Sequence, residues 1–143
     1  MAAAVLFHDV EVGLELPGLS MSFTRDDLNA YAVASGDMNP IHRDESFALA
    51  VGLPDVIAHG MLTMGRAIKV VTDWVADPTA VTEYSVRMTR PVVVPNTDEG
   101  VVVTFGAKVV ALDESDRTAK IEVTALFEEQ TVLGQPRATL VLG

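Results

Sequence analysis

The sequence predicts an α+β domain in which a long helix packs against a curved antiparallel sheet, and three observations carry that expectation. Composition changes near position 80: helical periodicities and turn-rich loops come before it, and Val, Thr and Ile dominate after it. The strand-like segments of the second half are joined by short connections, which favour antiparallel neighbours. One earlier segment, from Gly60 to Val75, is amphipathic and long enough to cover one face of such a sheet. With 143 residues, 49% of them apolar, residues 1–143 are read as a single domain able to bury its own core.

Taken in order, Met1–Phe7 is apolar but lacks a basic leader and is stopped by His8-Asp9, so it reads as an arm rather than a secretory segment. Thr24 followed by Asp27 makes a capping-box-like start. Leu28, Tyr31, Ala32 and Ser35 then share one face until Gly36, which predicts a helix from Arg25 to Ser35. Glu45 to Val51 fits a short helix between the loops Asp37 to Asp44 and Gly52 to Ala58. After Gly60, Met61, Met64, Gly65, Ile68, Val71 and Val75 form an apolar stripe and Arg66, Lys69, Asp73 and Asp77 a polar one, with Pro78 as the stop. Tyr31, Met61, Met64 and Trp74 lie at core spacing on these helices.

From Thr82 to Met88 the alternation has period two, with Tyr84, Val86 and Met88 on one face. Thr118 to Phe127 alternates in the same way through Ala119, Ile121, Val123, Ala125 and Phe127, whereas Val101 to Leu112 is apolar on both faces. Ala138, Leu140 and Leu142 suggest a last strand. Breaks are expected at Pro95-Asn96, Asp113-Glu114 and Leu133-Gly134.

Charge and composition exclude several classes of function. Ten Lys and Arg face twenty Asp and Glu, a net charge of −10 with no basic run, so nucleic acid and anionic membranes are poor partners. No cysteine is present, which removes disulfides, thiolate nucleophiles and zinc-thiolate sites and fits a reducing cytoplasm. No apolar run approaches the roughly 20 residues that span a bilayer.

Ionisable groups gather in Ser35-Gly36-Asp37-Met38-Asn39-Pro40-Ile41-His42, where a carboxylate and an imidazole sit five residues apart in a loop stiffened by Pro40. Downstream, Ala58-His59-Gly60-Met61 opens the long helix, whose first N–H groups lack intrahelical acceptors and carry the positive end of the dipole. An acid, a base and such a donor suffice to move water across a double bond next to a carbonyl. That chemistry needs no metal or organic cofactor, and no GxGxxG, P-loop or HExxH pattern occurs. Taken singly, Asp37 and Asn39 are ordinary turn residues, His42 an ordinary loop histidine and Gly60 an ordinary helix-entry glycine. Together, the fixed positions Gly36-Asp37-x-Asn39-Pro40-x-His42 would arise by chance in a chain of this length on the order of once in ten thousand or rarer.

Tyr31 to His42, with Ala58-His59-Gly60-Met61, resembles the hydratase-2 motif of the MaoC-like (R)-specific enoyl-thioester hydratases and dehydratases. Over nearly the whole chain, Leu62-Thr63-Met64-Gly65 and Asp77 to Tyr84 included, the resemblance is to the catalytic subunits of actinobacterial (3R)-hydroxyacyl-ACP dehydratases. It implies a hot-dog fold, a homodimer or a heterodimer with a related hot-dog subunit, and an acyl thioester of ACP or coenzyme A as substrate. It also implies Asp37 and His42 as the catalytic dyad, Asn39 as a helper in the same loop and the Gly60 N–H as oxyanion donor. Rival readings are a hot-dog thioesterase and a non-catalytic acyl-binding partner; retention of both Asp37 and His42 argues against the second.

Arg43, Arg66, Lys69, Arg87 and Arg90 are candidates to meet an anionic carrier, although solvated surface charge is the plainer reading of each. Arg87 and Arg90 fall on opposite strand faces unless a bulge intervenes. His59 is read as shaping the helix entry and His8 as part of the arm; neither is assigned a chemical role.

Overall fold

The computed structural model describes residues 5–143, so most of the expected arm, Met1 to Ala4, lies outside the described residues. The remainder of that segment is tied to the body of the domain: Phe7–Asp9 forms a single 3-10 turn, and the Phe7 N–H donates to the Gly143 carbonyl at 2.9 Å.

The sheet begins earlier than composition suggests. Strand β1, Glu15–Phe23, precedes every α-helix and pairs antiparallel with β3, Val101–Asp113. Its sequence hides it, because Pro17-Gly18 breaks the alternation. The structure absorbs that pair as a register shift between Leu16 and Leu19, which an edge strand tolerates. Helix α1, Arg25–Ser35, has the expected limits and capping box, buries Leu28 and Ala32, and ends on Gly36 at φ 81. Helix α2 is Glu45–Ala50, with Asp44 as its cap.

The long helix is two segments, α3 at Gly60–Ala67 and α4 at Lys69–Val75. No breaker residue divides them. At Ile68 (φ −66°, ψ −16°) the ladder tightens, with the Val71 N–H donating to the Ile68 carbonyl at 2.9 Å. The buried stripe is also rotated from the expected one: Thr63, Ala67, Val70, Val71 and Val75 face the core, while Met61 is 60% exposed. Thr63 can occupy an inner position because its hydroxyl donates to the His59 carbonyl at 3.5 Å.

Strands β2 (Val81–Met88), β4 (Thr118–Phe127), β5 (Gln130–Thr131) and β6 (Leu133–Val141) complete the sheet. Its order is β1-β3-β4-β6-β2, with β5 added to β4 and every pairing antiparallel. Leu133-Gly134 is not a break but the start of β6; the chain turns earlier, through Glu128 and Glu129 at φ 50 and 62. Those two residues carry no Gly or Asn signal for a left-handed turn. The inner face follows the alternation, with Ala119, Ile121, Val123, Ala125 and Phe127 of β4 buried against Val103, Phe105 and Val109 of β3. Helix α4 packs on β1 and β3 and α3 on β4, so the helical layer lies in the concavity of one curved sheet, the hot-dog arrangement. Among the described residues no helix is long and apolar enough to cross a membrane.

Candidate active site

The loop after α1 is built by short side chains that cap one another. Gly36 ends the helix in the left-handed region, which a residue with a Cβ enters only at a cost. The Asp37 N–H then donates to Ser35 Oγ, the Asn39 N–H to Asp37 Oδ1 and the Ile41 N–H to Asn39 Oδ1, each at 3.2 Å. These links carry the chain into a 3-10 turn, Pro40–His42, that delivers the His42 ring inward, where the residue is 8% exposed. Asn39 therefore has a definite task, capping that turn, and its side chain does not line the cavity onto which His42 opens.

His42 Nδ1 lies 2.7 Å from the carbonyl oxygen of Ile57. A carbonyl only accepts, so Nδ1 carries a proton, and in the neutral ring the lone pair is on Nε2. The Ile57 peptide is itself held: Ala58 N–H donates to Val92 O and Val94 N–H to Val56 O, both at 2.8 Å, and Ile57 N–H to Ile41 O at 3.2 Å. Arg25, first residue of α1, reinforces this segment by donating to Val94 O and to Asp55 Oδ1, both at 2.6 Å.

His59, to which the sequence assigned no chemistry, is the N-cap residue of α3 and is buried to 1% exposure. Its ring stacks on His42 with centroids 3.9 Å apart and planes 25° from parallel, and Tyr31 meets it edge-on at 4.7 Å. His59 Nε2 lies 3.1 Å from the Asp37 carbonyl, while its Nδ1 is buried with no hydrogen-bond partner. Burial holds the His59 pKa below the usual 6.5; the bond to Asp37 offsets this in part, and the neighbouring His42 adds to the lowering. Position alone, one residue before Gly60, was the available signal for it.

Gly60 begins α3. In that first turn the Leu62 and Thr63 N–H groups donate to the His59 carbonyl, while those of Gly60 and Met61 have no protein acceptor among the described residues. Gly60 also leaves room: a Cβ there would stand 2.8 Å from Met88 Sδ.

His42 and Gly60 open onto one cavity of about 320 Å³. Leu53, Ile57, Val92, Val132 and Leu133 give it an apolar wall, and Met88 and Arg90 lie on the β2 side. Asp37 is exposed and does not line that cavity, yet ligand atoms of Asp37, His42 and His59 fall within 4.8 Å of one another. The structure thus brings His42 and Gly60 to one cavity, sets Asp37 near His42 but off the cavity wall, and places the Asn39 side chain in support of the turn. Strand residues such as Val132 and Leu133 reach the cavity from far along the chain, beyond any local pattern.

The carboxylate and two imidazoles are the donor types a divalent cation would use. Their arrangement suits one poorly. Stacked rings aim their in-plane lone pairs side by side rather than at a common point, and the His59 nitrogen nearest Asp37 is already committed as a donor.

Of the basic candidates, Arg66 donates to Ser22 O at 2.7 Å and covers the Phe23 ring at 4.4 Å, and Lys69 pairs with Asp73 at 2.7 Å. Arg43 and Arg87 are exposed. Arg90 lines the cavity, donating to Gln130 Oε1 at 2.6 Å. His8 is exposed beside Asp9.

Residues 13–126 match the model of the MaoC like domain. The 3-hydroxybutyryl-CoA dehydratase of Methylorubrum extorquens is 31% identical over 129 residues, 89% of this chain and 78% of that one. A solved MaoC-like dehydratase superposes with TM-score 0.94 at 43% identity, covering 98% of this chain and 43% of the other. The (R)-hydratase from A. caviae involved in PHA biosynthesis superposes with TM-score 0.81 at 25% identity, covering 94% and 98%. The chain spans less than a third of the length of several curated relatives that it matches.

Proposed function

The chain belongs to the MaoC-like domain family, and on that premise we propose that it is a hydro-lyase interconverting (3R)-hydroxyacyl and trans-2-enoyl thioesters of ACP or coenzyme A, in fatty-acid metabolism. The observation that carries the reading is the His42 Nδ1 bond to the Ile57 carbonyl. It leaves a lone pair on Nε2 of a ring that shares its cavity with the unpaired Gly60 N–H.

In the dehydration direction His42 Nε2 takes the proton from the carbon alpha to the thioester carbonyl. The electron pair of that C–H bond becomes the new double bond, and the C–O bond at the beta carbon breaks. Asp37 supplies the proton to the departing hydroxyl, so that water leaves. The Gly60 N–H donates to the carbonyl oxygen while enolate charge builds there. A proton then returns from His42 to Asp37 through water, and hydration runs the same steps backwards. Asn39 acts by capping the turn that holds both groups. A second hot-dog chain, identical or related, is the proposed partner. It would cover the exposed Asp37, together with Met38 and Val33, which also stand in solvent.

Crotonyl and longer trans-2-enoyl thioesters of CoA and ACP should lose their conjugated enoyl absorbance on addition of the protein and yield the (R) alcohol. Asp37→Asn and His42→Gln should each slow this by about 10²- to 10⁴-fold while remaining folded. An (S) product, release of free thiol, or near-normal rates in either variant would refute the reading.

A further inference from the structure

We propose that His59 is a positioning residue: its Nε2–H tethers the Asp37 peptide and its ring face supports His42, so that one buried side chain sets both members of the dyad relative to Gly60. The inference rests on the proposed roles of Asp37 and His42 and adds the part that aligns them.

The contacts of His59 divide cleanly. Nε2 lies 3.1 Å from the Asp37 carbonyl, a bond that requires the proton on Nε2 and leaves Nδ1 bare. Nδ1 is buried without a partner, so protonating it would place a hydrogen where nothing accepts it. The ring face lies 3.9 Å from the His42 ring, and the Tyr31 ring, an uncharged group, meets it edge-on at 4.7 Å. An imidazolium at that distance would oppose the charge that His42 must acquire as a base; a neutral ring does not. The titratable groups facing His59 are thus His42, Asp37 and Tyr31, and only the neutral Nε2–H form fits all of its contacts.

The backbone of His59 adds the third link. Its carbonyl receives the Leu62 and Thr63 N–H groups, which starts α3 at Gly60, a residue of the cavity wall whose own N–H has no protein acceptor among the described residues. An apolar aromatic ring could fill the same space without an orphan nitrogen. It could not supply the donor to Asp37.

That difference sets the test. His59→Phe keeps a neutral stacked ring and loses the donor, His59→Gln keeps an Nε2–H at similar reach and loses the ring, and His59→Asn offers an amide too short to reach Asp37. Misplacing reacting groups by about an ångström costs on the order of 10²-fold, so His59→Phe and His59→Asn should lower kcat about 10- to 100-fold with KM within about twofold. His59→Gln should recover about fivefold or more over His59→Asn, a comparison that holds even if the Phe ring does not fit. Imidazole nitrogen shifts of the wild type should show His59 as the neutral Nε2–H tautomer at pH 7. Wild-type kcat in a folded His59→Phe or His59→Asn, equal rates in the Gln and Asn variants, or a protonated His59 would overturn the inference. A wild-type protein inert toward every thioester would instead overturn the functional reading on which it rests.

Discussion

His59 couples stability to pH at the scale of one side chain. In the folded chain its pKa is pushed below 6.5 by burial, and unfolding restores it to that value. Below pH 6.5 the unfolded chain therefore takes up a proton that the folded chain refuses, and stability falls as pH drops from 6.5 towards the folded value. Above pH 6.5 both forms are neutral and the contribution is flat. Thermal melts between pH 7.5 and 5.5 should show Tm falling on the acid side, with part of that slope missing in His59→Gln; parallel curves for the two proteins would contradict it. The residues most legible in the sequence were those of the contiguous loop, because Asp37, Asn39 and His42 are held by bonds spanning two or three residues. His59 acts across 17 positions to His42 through a ring stack, and no spacing rule announces such a contact.

Among the elements, β2 and α3 are joined by a side-chain hydrogen bond whose loss is measurable. The Tyr84 hydroxyl donates to the Met64 carbonyl at 2.7 Å, and burial raises its pKa to about 12 from the usual 10.0. A raised phenol favours folding below pH 10, and that advantage fades as pH climbs through the folded value near 12. Tyr84→Phe should cost about 1 kcal/mol at pH 7, the usual worth of one such bond, and should make the chain less sensitive to alkali. Urea titrations at pH 7 and 11 check both; an unchanged midpoint at pH 7 would show the bond to be idle. The period-two strands and the capped α1 were readable because each signal lies within one element. Strand β1 was not, since Pro17-Gly18 erases its alternation and its identity comes from pairing with β3, about 80 to 90 residues away. Nor was the turn at Glu128-Glu129, where the hairpin imposes positive φ on residues that do not request it.

For the molecule as a whole, the net charge of −10 and the Arg90 guanidinium lining the cavity would act in opposite senses on the anionic carrier proposed above. The first is a sum over the surface and acts at long range, and salt of about 0.1 M shortens its reach to about 10 Å. Raising ionic strength from about 10 to 100 mM should therefore increase kcat/KM for a CoA thioester about twofold or more, and leave an uncharged short thioester unaffected. A decrease for the CoA thioester would mean that Arg90 outweighs the rest of the surface. Packing of the whole also fixes what the His42 ring can exchange with its surroundings. The peptide behind His42 is bonded to Val92 through Ala58, its neighbour Val56 to Val94, and Arg25 braces Val94, so the acceptor that holds Nδ1 is itself fixed. An amide oxygen is no relay for hydrogen ions. With His42 as the base proposed above, a hydrogen gathered on Nε2 leaves again from Nε2, because Nδ1 faces an oxygen that cannot pass it on.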